Sequence, residues 1–246
     1  MNGDATDLPY LFDPAHWDVG AAGNIPSLIL THLYYTGLAL GIGFVIAFPV
    51  GLYIGHTGKL AFIAINAGNV GRALPTLGLI GFLVVLMRGQ FIPAMVALVV
   101  LAIPPILTST YAGLRAIDRA AVDAARGMGM RELQTLFRVE IPMAMPIIMS
   151  GLRSAALQVV ATATVAAYVG LGGLGRLLID GLSVNDYDRV VAGAVLVAVL
   201  AVVIDLVAEG IQRLVVSPGV SGRALTRGTR TRNTATTAPT PAGSVG

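Results

Sequence analysis

VVAGAVLVAVLAVVIDLVAEGIQRLVV, residues Val190–Val216, carries no charge until Asp205. A helix crossing a bilayer needs roughly 20 mostly apolar residues, and this stretch supplies them. Four further stretches read the same way: Ser27–Gly55, Leu60–Met87, Phe91–Leu114 and Ile141–Val169. The whole chain agrees with its parts. Of 246 residues 55% are hydrophobic and 12% charged, against about 45–50% and about 25% in a soluble domain. So little charge cannot solvate a globule of this size, which excludes a soluble enzyme, a disordered chain and a nucleic-acid binder together. The 30 Gly and 13 Pro are scattered through the apolar runs, as in transmembrane helices. With no Cys there is no disulfide framework and no thiol nucleophile. The expected fold is an all-α integral membrane protein of about five transmembrane helices.

Two of these spans carry breakers. Arg72 and Pro75 fall inside the second, which predicts one kinked span or, alternatively, a re-entrant half-helix. Pro104-Pro105 marks a kink in the third. Basic residues orient the set. Lys59, the Arg115–Arg138 group and the arginines from Arg213 to Arg232 fall on one side; Arg88, Arg176 and Arg189 fall on the other. The positive-inside rule puts the richer side in the cytoplasm, with the N-terminus out and the C-terminus in. No Lys or Arg precedes Lys59, so the first span is no cleavable leader. Residues 1–24 form a short external segment, residues 25–216 the transmembrane domain, and residues 217–246, nearly all small, polar or Arg, a disordered tail.

The largest cytoplasmic loop, residues 115–140, is not a featureless linker. Asp118 is placed to cap a short Ala-rich helix over Arg119–Met128, with Gly127 and Gly129 closing it. Helical periodicity resumes over Arg131–Val139, and Pro142 interrupts it before the fourth span. Two readings stand on the physics alone. A short helix between glycine hinges suits mechanical contact with a cytoplasmic partner, with Ala124 and Ala125 small enough to seat in a groove. It equally suits an amphipathic helix lying on lipid.

The run Asp123-Ala124-Ala125, three residues, Gly129, nine residues, Val139, one residue, Ile141-Pro142 resembles the EAA signature of permease subunits of ATP-binding-cassette importers. Every spacing matches; Asp123 replaces Glu, Val139 replaces Ile and Ile141 replaces Leu. Further stretches, among them Leu74–Leu79, Ile103–Leu107, Tyr111–Arg115, Pro146–Arg153 and Gly170–Gly175, are similar to osmoprotectant importer permeases. The resemblance covers roughly Leu28–Val215. It implies the type I importer permease fold, a coupling helix, and a multi-pass place in a bacterial plasma membrane. It also implies partners: two cytoplasmic ATPase subunits, a second permease, identical or homologous, and an extracytoplasmic substrate-binding protein. The solute would be glycine betaine, choline, carnitine or proline betaine, with a methionine-like amino acid or a non-transporting scaffold as alternatives. No cofactor is expected in this chain, which lacks the GxxxxGK[ST] phosphate loop. ATP and Mg would belong to the partner, and nucleic acid to none of them.

Other residues carry weaker signals. Gly170–Gly175 reads G-x-G-x-x-G, but it follows a membrane span rather than a strand. Its glycines Gly170, Gly172, Gly173 and Gly175 are expected to make a compact external gate turn. A charge at membrane depth costs a few kcal/mol and usually faces a pathway or a partner. Arg72, just before the Pro75 break, is assigned to the translocation pathway. Arg153 has two readings, the pathway or snorkelling to the cytoplasmic headgroups. Asp205 and Glu209 are expected to pair with basic loop residues. His16, His32 and His56 are too dispersed for a metal site.

Overall fold

The computed structural model describes residues 10–73 and 75–216, without the side chain of Arg72. The tail 217–246 and the first nine residues of the external segment lie outside that description. A 3-10 turn, Pro14–Trp17, precedes α1 (Ile25–Thr57). Then follow α2 (Ala61–Ala73), α3 (Thr76–Met87), α4 (Phe91–Arg115), α5 (Arg119–Gly127) and α6 (Glu132–Thr135). A π-turn (Leu136–Glu140) leads into α7 (Ile141–Ala166), a 3-10 turn (Ala167–Val169), α8 (Gly175–Val184) and α9 (Tyr187–Val215). Among the described residues four helical runs are long and apolar enough to cross a membrane: α1, α4, Glu132–Val169 and α9.

The second expected span is two helices bent by 98°. Pro75 stands at the N-cap of α3 with extended backbone; its ring bars the helical conformation from the residue before it. At 13 and 12 residues, α2 and α3 each rise only about 20 Å, short of the roughly 30 Å hydrocarbon core. The broken form stands in place of a single kinked helix. Pro142, in contrast, does not interrupt the fourth span. The chain stays helical from Glu132 to Val169, because the π-turn lets the Ile141 amide reach back to the Leu136 carbonyl just ahead of the proline.

α4 is the hub, packed between α1 and α7 with α2 and α3 against it. Small residues set the closest approaches. A Cβ on Gly51 or Gly55 of α1 would lie 2.7 Å or 2.8 Å from Thr110 or Leu114 of α4. A Cβ on Gly71 of α2 would lie 2.6 Å from Pro104, and one on Gly151 of α7 only 1.7 Å from the Ser109 hydroxyl. Gly37 and Gly41, the other small pair on α1, have nothing within 4 Å. A second apolar cluster joins α1, α8 and α9, with Tyr10 and Leu11 of the N-terminal segment packed against it.

Candidate functional site

Three places in this frame carry chemistry. The first is a cleft of about 400 Å³ between α2, α4 and α7. Among the described residues its wall has no charged side chain: Thr108, Ser109, Ser150, Ser154 and Gln158 share it with Ile147, Ala112 and the two prolines, and Gly68 and Gly71 give room on the α2 side. The helical spacing of Ile147, Gly151, Ser154 and Gln158 turns one face of α7 into it. Proline chemistry prepares the other side. Pro105 has no amide to donate to the Leu101 carbonyl, and the Gln158 amide donates to that oxygen at 3.3 Å instead. The Thr108 hydroxyl likewise donates to Pro104 O at 2.8 Å. Gln158 escaped the sequence reading; a lone amide in an apolar helix, opposite a proline pair, was the available signal.

Of the residues assigned to a pathway, Pro75 makes the α2–α3 break, and the Arg72 side chain lies outside the described residues. Arg153 is not among the cleft residues. It stands on the opposite face of α7, in an apolar groove shared with α1 and α9. There its guanidinium donates through Nε and NH2 to both carboxylate oxygens of Asp205 on α9. This corrects the expectation that Asp205 pairs with a loop residue: two opposite charges at membrane depth neutralise each other across a helix seam, as the low dielectric demands. Glu209 pairs with Arg213 one turn on, and lies 3.9 Å from Arg153.

The second place is the loop 115–140. Asp118 caps α5, its carboxylate accepting the Ala120 amide at 3.0 Å. Gly129 has φ +84, the left-handed region that a side chain disfavours, and no atom of the chain within 4 Å of an added Cβ. Asp123 and Ala124 are exposed, but Ala125 is buried by this chain itself. Ala125 therefore packs inward and does not offer itself to a groove. The same loop carries exposed apolar side chains: Met128 at 78%, Leu133 at 68% and Phe137 at 62%. Val139 and Ile141 are half-buried and Pro142 is exposed. Behind the loop, His56 at the inner end of α1 lies between two carboxylates. Its Nδ1 is 2.7 Å from Glu140 Oε2, and its Nε2 is 3.4 Å from Glu132 Oε2. Glu132 also accepts from Arg126 of α5 at 2.9 Å, and that bond holds the Arg126 pKa above its usual value. No sequence signal connected His56 with a carboxylate in a different loop.

The third place is the glycine turn. Gly170, Gly172 and Gly173 all have positive φ, at +87, +57 and +79. Gly173 rests on His32 of α1, whose Nδ1 would be 3.1 Å from an added Cβ. His32 is itself buried, with Nε2 3.1 Å from the Val160 carbonyl of α7. After the turn the chain enters α8, a helix not foreseen in the sequence, which buries Leu177 and Gly181 against α9. Among the described residues no cluster of His, Cys, Asp or Glu could hold a metal ion.

A helical membrane body with a polar-lined cleft and a capped loop helix presenting an open surface fits a transport permease. The chain belongs to the family described as binding-protein-dependent transport system inner membrane component, matched over residues 24–217. It is similar to the glycine betaine/carnitine/choline transport system permease protein OpuCB of Bacillus subtilis, 34% identical over 78% of this chain and 88% of that one. The osmoprotectant import permease protein OsmW of Salmonella typhimurium is 33% identical over 85% of this chain and 99% of its own. The fold is shared with the inward-facing MetNI methionine transporter, at TM-score 0.70 and 24% identity, over 83% of this chain and 99% of that one. This protein is thus a multi-pass permease subunit of an ATP-binding-cassette importer.

Proposed function

We propose that two permeases, this chain with an identical or homologous second copy, enclose a pathway for a small osmoprotectant. Two cytoplasmic ATPases drive it through α5, holding the ATP and Mg, and an external binding protein delivers the solute. Glycine betaine, choline, carnitine and proline betaine are the candidates, and the named relatives support that class. The observation that carries the coupling reading is the surface at Gly129. The loop leaves open space and exposed Met128, Leu133 and Phe137 around the residues of the EAA pattern, Asp123, Ala124, Gly129, Val139, Ile141 and Pro142. The cleft supports the pathway reading, because hydroxyls and one amide bind a zwitterion or cation weakly enough to release it. Arg72 and Pro75 at the α2–α3 break, beside that cleft, are proposed to belong to it, and the glycine turn Gly170–Gly175 to form its outer gate. Arg153, bonded to Asp205 away from the cleft, is assigned to holding α9 on α7.

The test is uptake by the whole importer in lipid vesicles. Labelled glycine betaine or choline should enter only with ATP and loaded binding protein together, and Gln158→Leu should slow entry with the complex intact. Methionine uptake in its place, or no ATP-dependent uptake of any of these solutes, would reject the assignment. Orientation is tested in the Cys-free chain by Ala22→Cys and Met128→Cys, which should label from opposite faces of intact cells.

A further inference from the structure

Glu140 is one of few buried charges, 6% exposed at the mouth of α7. A buried carboxylate is costly unless a donor meets it, and the side chain that meets it is His56, from a helix remote in sequence. His56 in turn faces Glu132, and Glu132 binds Arg126 of α5. Two hydrogen bonds, Arg126–Glu132 and His56–Glu140, and a 3.4 Å contact of His56 with Glu132 between them therefore link the loop helix to the end of α1. The same elements also share an apolar cluster, Leu52, Leu114, Leu136, Ala144 and Ile148, which holds the parts together without fixing a direction. α1 is one helix of 33 residues, about 50 Å long, and its far end carries His32 beneath Gly173 of the outer turn.

Resting on the reading of α5 as the ATPase contact, we propose that His56 is a positioning residue of the transport cycle. It ties the coupling loop to α1 through Glu140 and Glu132, so that displacement of α5 moves α1 and, through His32, the outer glycine turn. Displacement at Arg126 then reaches both ends of the pathway along one continuous helix.

The experiment uses the complete importer in vesicles, reading glycine betaine transported per ATP hydrolysed. His56→Ala should leave the complex assembled and lower that ratio about tenfold, within the usual range of coupling between distant sites. The concentration of loaded binding protein giving half-maximal hydrolysis should stay unchanged. His56→Asn, which keeps an N–H near the Nδ1 position, should recover part of the ratio through Glu140. His56→Gln keeps a donor near Nε2 and should recover less, because the Glu132 contact is the longer one. A wild-type ratio in His56→Ala overturns the proposal, and so does equal loss of assembled complex in all three variants. Should His56→Ala fail to fold, Glu132→Gln on the exposed carboxylate must lower the ratio; a wild-type value there is equally fatal. Gly129→Leu separates this from the reading beneath it. If Gly129→Leu uncouples and His56→Ala does not, only the α1 tie is wrong; if neither uncouples, α5 is not the ATPase contact.

Discussion

Glycines punctuate both ends of this permease, and they do so for opposite reasons. In the turn Gly170–Gly175 three of the four glycines are hemmed in by their own chain: Gly170 by Gln90 at 2.8 Å, Gly173 by His32 at 3.1 Å, and Gly175 by the Thr164 carbonyl at 2.2 Å, while Gly172 has its nearest neighbour, Thr31, at 3.5 Å. In the cytoplasmic loop Gly127 and Gly129 meet nothing within 4 Å. The first set is required by packing that this chain completes. The second lies on a surface the chain leaves uncovered, where only backbone conformation and a partner can demand a glycine. A sequence shows the same letter in both places.

Four substitutions put that contrast at risk, beginning with the largest effect. Gly175→Val should destabilise the protein by about 3 kcal/mol, the upper end for overpacking, because the obstacle is backbone and cannot rotate away. Thermal unfolding and yield of the purified complex would show it, and a normal yield would break the comparison outright. Gly129→Leu should cost about 1–2 kcal/mol of backbone strain confined to the loop. The permease should insert in normal amounts yet copurify with less ATPase, or hold ATPase that loaded binding protein no longer stimulates. Gly170→Ala meets a left-handed φ and the end of a flexible Gln90 side chain, so roughly 1 kcal/mol is expected. Gln90→Ala in the same chain should return the part due to crowding, and no return would assign the whole effect to φ. Gly127→Ala is the smallest. In the last helical position of α5 with open space around it, it should stabilise the loop by up to about 1 kcal/mol. Slower amide exchange across Arg119–Gly127 would register the gain; weaker ATPase binding despite it would extend the partner surface to Gly127.

Much of this was legible because the bilayer imposes local rules. Asp118 capping α5, the break at Pro75 and the left-handed Gly129 each follow from a residue and its immediate neighbours. What escaped depended on residues distant in sequence. Pro142 looked like an interruption, since the π-turn that absorbs it has no letter code of its own. Ala125 looked like a partner contact until the fold buried it. α8 was invisible because its ten residues are too few for a span and its apolar side points to α9. Gly51 and Gly55 pack while Gly37 and Gly41 do not, though both pairs share one spacing on one helix.

The sequence by itself determined that the chain is helical and membrane-embedded, where its spans fall and which loop resembles a coupling element. Lipid removes every alternative to internal hydrogen bonding, so apolar length and basic asymmetry suffice for that. Only the tertiary structure decided which charge meets which. Arg153 and Glu140 each meet a helix that reaches them from far along the chain, α9 with Asp205 and α1 with His56. Pairings of that kind are set by how helices cross, since a buried charge takes whichever partner the packing brings within a hydrogen bond.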